Sequence, residues 1–593
     1  MKQTTLEIRR VIEYSNFFVG EETIDVRATL RRFNRCTLVR MAAILSLHYG
    51  NLSWPDPNNT LFSEESKKYI PYLNNIFQAY YKREKLVQGQ KVELLTYRTS
   101  LELWRQIFAI PVDEFTDEVK KTDAEFILFK VVLAINEKIV SFTEKKDHYK
   151  LDELIFLNCF LTNDSNNYDY KAILQPQLYY FHQLINFIPK NEVLKKASEV
   201  LFERWGIESW RHYYTTLFVI ATQTDSYIKE KANGLPLITS EWIEQNKRFL
   251  SQSLIDNLYI DEDEYIPYND EDAAKKELNI DYRRFRSQPL VKLKDGSGYV
   301  VINNQLICER LYNSLYFDFG PLINGQKKSC GLFNYNKDFV EKVLFRNTFF
   351  NCLPSNCYTF PKMDVEEPEK PNEPDFYART KKDELIVVEC KAVKMNGECR
   401  DDGDYRRLLD ELHEKIVLKT RNLDPARKEH KGAAEHIGIG QLIHHIDSIE
   451  ASTFLWDDNI PDDVIYYPLL VFEDVKLVQK GILSIVNRWF YEEVKKEKAL
   501  SVSDTSCMPV MVVSINTLYL YDKLLARRGF TKVIDSFVNE YAKYNTQTGE
   551  YSIPEMADFD EYLRRNSFNK RSEMMKWHRQ LWEGPEESSE TAS

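Results

Sequence analysis

Three consecutive segments decide how the C-terminal half of this chain is read: Pro374-Asp375-Phe376-Tyr377-Ala378-Arg379, the polar run Thr380-Lys381-Lys382-Asp383-Glu384, and Leu385-Ile386-Val387-Val388-Glu389-Cys390-Lys391. They read as strand, turn and strand, because β-branched and aromatic residues flank a short charged stretch. With an antiparallel hairpin centred near Lys381 and Lys382, pairing places Asp375 roughly opposite Val388 and therefore beside Glu389. Side chains alternate between the faces of a strand, so Glu389 and Lys391 share one face and Cys390 points into the opposite layer. Asp375, Glu389 and Lys391 are therefore expected to converge.

Two neighbouring carboxylates repel, so such a pair either raises one pKa or holds a hard divalent cation. Magnesium is the expected occupant, with manganese as a substitute, since it accepts one or two carboxylates and fills its shell with water and phosphate oxygens. The lysine ammonium suits the negative charge that builds on a phosphorus-centred transition state, and it can steer the attacking water. Phosphodiester hydrolysis is the reaction this set implies. The alternative is a surface hairpin with a solvated salt bridge.

Pro374-Asp375 followed at hairpin spacing by Glu389-Cys390-Lys391 resembles the PD-(D/E)XK superfamily, the restriction-endonuclease-like nucleases. The resemblance covers residues 330 to 525, a third of the chain, and implies an α/β core with a mixed sheet flanked by helices. It also implies further site residues. Phe339 to Phe345 reads as an amphipathic helix, where the family often adds an acid, and Glu341 matches it; Gly438 to Ile446 opens another helix, where Gln441 matches a glutamine turned toward the reacting water. Some branches place a tyrosine four residues after that glutamine, and here His445 stands instead. Two apolar runs, Val464 to Phe472 and Pro509 to Ile515, separated by a helical period from Gly481 to Lys498, complete the expected order of helix, hairpin, helix, strand, helix, strand.

Between hairpin and second helix lie Arg406, Arg407, Lys415 and Lys419, with Arg421, Arg427, Lys428 and Lys431 beyond them. They read either as phosphate contacts or as a charged helix balanced by Asp410, Glu411 and Glu414. A net charge of −12 argues against bulk attraction to a polyanion but leaves room for a local basic groove.

The first half differs. Apolar residues recur at helical spacing in several stretches from Asp25 to Thr222 with few glycines, so residues 1–260 are expected to form a helical domain for sensing, substrate guidance or oligomerisation. Asp261-Glu262-Asp263-Glu264 through Asp272 marks an expected acidic linker over 261–285; a connecting β/α segment follows at 286–329, with a hairpin turning at Asp295-Gly296, then the nuclease domain at 330–582 and an acidic disordered tail at 583–593. Arg27, Arg31 and Arg35 repeat every four residues, a stripe suited to nucleic-acid phosphates or an acidic partner, although a solvated face paired with carboxylates elsewhere is the preferred reading.

Length calls for more than one domain, and the absence of any apolar run near ~18 residues excludes a helical membrane span. The N-terminal decapeptide lacks the apolar core of a signal peptide, and the nine cysteines show no C-x-x-C pair, so a cytoplasmic protein without disulfides or structural zinc is expected. The resemblance implies a metal-dependent endonuclease acting on DNA, in the manner of an antiphage-defence effector that assembles as a homo-oligomer or with a partner defence protein. Two rivals stand beside it: a nuclease fold kept as a binding or assembly module, and a nuclease directed at RNA or transfer RNA.

Overall fold

The structure, a computed structural model, describes residues 10–47, 53–54, 62–86, 92–141, 149–162, 170–229, 235–267, 282–326, 333–362, 373–397, 400, 405–420, 434–497, 506–566 and 573–583. The fold is mixed α/β. The calls on the tail after Glu583, on most of the acidic segment after residue 267, and on Arg421, Arg427, Lys428 and Lys431 lie outside the described residues.

The strand Glu384–Lys391 is the centre of the C-terminal sheet. It pairs antiparallel with Phe376–Arg379 on one side and parallel with Ile465–Phe472 on the other. Tyr358–Phe360 extends the antiparallel side, while Met511–Ser514 and Ser506–Cys507 pair parallel with Ile465–Phe472. Leu385, Ile386, Val387, Val388 and Cys390 are all fully buried, as a β-branched run covered on both faces must be. Parallel neighbours need crossover connections, and the helices Ile439–Glu450 and Ile482–Glu497 lie in those connections. A short helix, Tyr405–Ile416, and a small hairpin, Leu418–Thr420 with Ala434–His436, are inserted ahead of the first.

The hairpin register differs by one residue from the expected pairing. Phe376 faces Val388 and Arg379 faces Leu385, so continuing the ladder sets Asp375 against Glu389 itself. The turn explains the shift: Asp383 adopts a left-handed φ of 59°, and the Thr380 N–H donates to the Glu384 carbonyl at 3.0 Å, which closes the loop on 380–384.

The first half is less purely helical than expected. Leu237–Thr239, Tyr259–Asp261, Leu290–Lys292 and Gly298–Val301 form one four-stranded sheet, so the expected linker begins inside a strand. This sheet is a wall between two apolar cores. Leu290, Tyr299 and Val301 face a core that includes the C-terminal sheet, while Val291, Val300 and Ile302 face one built from residues 12–135. The alternation is the strand period of two, with both faces buried.

The helices Leu151–Thr162, Tyr170–Phe187, Glu192–Trp205 and Trp210–Lys229 contribute to the same core as the C-terminal sheet. At their start Asp152 and Glu153 clasp Arg488 of the Ile482–Glu497 helix, at 2.7 and 2.6 Å. Gly481 makes that approach feasible: with φ at 90°, a Cβ there would lie 2.3 Å from the Asp152 carbonyl oxygen. Among the described residues no helix is long and apolar enough to cross a membrane.

Candidate active site: carboxylates gathered around Lys391

Asp375, Glu389 and Lys391 meet at the end of the central strand pair. The Asp375 Oδ2 accepts the Cys390 N–H at 2.8 Å, so this side chain bridges to the neighbouring strand where the backbone ladder stops. Arg346 steadies the same corner by donating to the Asp375 carbonyl at 3.2 Å and pairing with Glu373 at 3.1 Å. Lys391 Nζ lies 2.8 Å from Glu389 Oε2 and 3.7 Å from Asp375 Oδ2. Glu389 is 1% exposed, whereas Lys391 and Asp375 keep 15% and 21% of their side-chain surface open. Cys390 is buried on the opposite face, as alternation requires.

Glu341 joins them. It sits on Tyr335–Phe345, a helix widened to π geometry that runs directly into Arg346–Phe350, a form found more often near functional sites than elsewhere. Glu341 is partly buried, takes support from the Ala392 N–H, and lies close enough to Lys391 and Glu389 to feel both charges.

The electrostatics divide the acids. Burial pushes the Asp375 carboxyl well above the usual carboxylate range, and the charges of Glu389 and Glu341 push it further against the opposing pull of Lys391. Glu341 is raised by burial and by Glu389, with Lys391 opposing. Burial also works against Glu389, but Lys391 and the hydrogen bond from His445 outweigh it and hold this carboxyl down at about 2. Lys391 loses solvation on burial, yet Glu389, Asp375 and Glu341 together hold it above the usual lysine range. The lysine therefore stays an ammonium.

Gln441 is placed differently from the role that resemblance suggested. Its Oε1 accepts the Gly438 N–H at 2.9 Å, capping its own helix. Gly438 sits at φ 48°, and a Cβ there would meet the Ile416 carbonyl oxygen at 2.6 Å, so the helix entry is fixed by tight packing. One turn further on, His445 Nε2 meets Glu389 Oε1 at 3.0 Å. That contact was not anticipated, although a histidine within the apolar stripe of Leu442, Ile446 and Ile449 signals a buried polar group in need of a partner.

The basic residues expected to touch nucleic acid are mostly committed elsewhere. Arg35 is buried: its guanidinium donates to the carbonyls of Glu262, Glu264 and Ile110 at 2.6, 2.8 and 2.9 Å and lies against the rings of Phe108 and Phe115. It ties residues 262–264 to the body of the protein, which corrects the phosphate-contact expectation for Arg35 and shows that the start of the acidic segment is packed against the body. The arginine stripe is also broken, because Val26–Arg31 and Arg35–Leu47 are separate helices; Arg31 pairs with Glu114 at 2.8 Å and Arg27 donates to Gln106 at 2.9 Å. Lys415 is held by Glu411 and the Lys394 carbonyl, and Arg406 pairs with Asp410 at 3.1 Å along the helix, the balanced charged-helix alternative. Arg407 is exposed on that helix, and Lys419 lies opposite Glu435 in the small hairpin.

Among the described residues no group of three or more His, Cys, Asp or Glu side chains is arranged as a ready metal cage. The donor set at Asp375 and Glu389 nonetheless suits a hard cation that keeps several waters, because two crowded carboxylates, one of them driven toward its neutral form, are relieved by a dipositive charge. Comparison of the chain with protein-family models, characterised proteins and solved structures finds no match.

Proposed function

We propose that this chain is a metal-dependent nuclease of the PD-(D/E)XK type, hydrolysing phosphodiester bonds in DNA as an antiphage-defence effector. The observation that carries the reading is Lys391 Nζ lying 2.8 Å from Glu389 and 3.7 Å from Asp375 at the end of the central strand pair, with Glu341 near enough to interact electrostatically with Lys391 and Glu389. DNA and the defence setting follow from the resemblance to restriction, repair and defence nucleases.

Asp375 and Glu389 would hold magnesium or manganese, with Glu341 beside them. When bound, the ion supplies a Lewis acid that polarises a phosphoryl oxygen and lowers the pKa of water. The rest falls to the chain. Lys391, kept cationic, donates to the phosphate or its attacking water and offsets charge as the transition state forms. Water adds to phosphorus, the bond to the departing deoxyribose oxygen breaks, and that oxygen gains a proton as the attacking water loses one. A single site cuts one strand, so double-strand cleavage calls for two copies.

A second reading, a nuclease fold kept as a binding module, draws support from Lys391 itself, whose single ammonium already lies within ion-pair distance of both carboxylates. Purified full-length protein incubated with plasmid DNA and with RNA, with and without magnesium or manganese, separates the readings. Metal-dependent DNA cleavage abolished by Asp375→Ala, Glu389→Gln and Lys391→Ala supports the first; cleavage of RNA alone moves the substrate; undiminished cutting by the variants places the site elsewhere.

A further inference from the structure

The helix Ile439–Glu450 covers one face of the C-terminal sheet with Leu442, Ile443, Ile446 and Ile449, all buried, and His445 lies within this stripe at 2% exposure. An imidazole in an apolar layer costs stability unless its polar atoms are bonded. His445 bonds through one nitrogen: Nε2 reaches Glu389 Oε1 at 3.0 Å, while Nδ1 is buried with no hydrogen-bond partner. The Trp456 ring stands edge-on, at 6.4 Å and 89°, and confines the imidazole plane.

For packing alone, leucine or phenylalanine would fill this position without an orphaned ring nitrogen, and an unsatisfied buried polar atom of this kind calls for a functional explanation. The explanation lies in what Nε2 does to Glu389. Lys391 occupies Oε2 at 2.8 Å and His445 occupies Oε1 at 3.0 Å, so the carboxylate is gripped through both oxygens and its plane cannot turn. Each oxygen retains a second lone pair for a cation.

We propose that His445 is a positioning residue that orients the Glu389 carboxylate for a divalent ion. The inference rests on the metal-dependent reading of the site and extends it beyond the Asp, Glu and Lys set. It also gives the helix a role in the site that Gln441, engaged at its own N-terminus, does not fill.

Manganese alone is the probe. Its dissociation constant is measured by calorimetry on the full chain for wild type, His445→Phe and His445→Gln, alongside metal-free melting and plasmid cleavage. Loss of an outer hydrogen-bond partner typically weakens metal affinity ~10–100-fold. The His445→Phe chain should show a loss of that size, with metal-free melting lowered modestly because the buried Glu389 Oε1 loses its donor, and His445→Gln, whose amide N–H can still donate to Glu389, should recover most of the affinity. Wild-type affinity in His445→Phe, or equal weakness in the Phe and Gln variants, overturns the proposal while leaving metal-dependent cleavage standing. A wild type that neither binds manganese nor cleaves overturns the parent reading and this one with it. Should His445→Phe fail to fold, His445→Leu serves for the same comparison.

Discussion

Lys391 Nζ and Glu389 Oε2 form a 2.8 Å ion pair in which the carboxylate is almost wholly shielded from water. Removing one partner of a buried pair strands the other's charge, at a cost of ~3 kcal/mol or more. Lys391→Ala is therefore expected both to abolish cleavage and to lower the metal-free melting temperature.

Asp375→Asn should act on stability with the opposite sign. The site drives this carboxyl toward its neutral form, and asparagine supplies a neutral group that still accepts the Cys390 N–H. Cleavage should fall at least ~100-fold with loss of the metal ligand. Metal-free melting should rise at neutral pH, and a fall of several degrees would contradict the electrostatic account.

The pH dependence follows from the same shifts. Asp375 is raised when folded, so its contribution is full below its unfolded pKa of ~3.9 and is lost as pH climbs through the folded value; the stability gap between wild type and Asp375→Asn should widen over that range. Glu389, held at about 2, contributes above its unfolded pKa of ~4.3, and that contribution is lost as pH falls toward the folded value. Manganese competes with the proton for the raised Asp375 carboxyl, so binding should release protons and tighten as pH rises toward the folded value. Calorimetry in two buffers of different ionisation enthalpy checks this; proton-neutral binding would count against it.

Arg35 and Gln441 test structural assignments. Arg35→Ala leaves the Glu262, Glu264 and Ile110 carbonyls without their donor and should destabilise the protein by ~3 kcal/mol in denaturant unfolding, without a specific loss of nucleic-acid affinity in the folded chain. Gln441→Ala removes a helix cap worth ~1 kcal/mol and should leave the cleavage rate within about threefold of wild type. A hundredfold loss would return Gln441 to the reaction.

The C-terminal core was legible because its signals are local. The run Leu385 to Val388 admits few readings other than a buried strand, and alternation assigns Glu389, Cys390 and Lys391 to their faces. The register slipped by one because the left-handed Asp383, which sets the turn, carries no glycine to mark it. Contacts between distant segments were hidden. Arg35 looked like part of a solvent stripe because the break at residues 32–34 lacks proline or glycine, and its carbonyl partners stand more than 70 positions away in sequence. His445 meets Glu389 across 56 residues, a pairing that only the docking of helix on sheet creates.

The most direct test of the central claim is the position of a manganese ion, located by anomalous scattering in crystals of the full-length protein. The account expects a single strong peak within bonding distance of both Asp375 and Glu389 carboxylates, ~2.0–2.3 Å, with Lys391 turned away from Asp375. Crystals at saturating manganese in which Lys391 keeps its contacts with both carboxylates, and no peak lies between them, would contradict it.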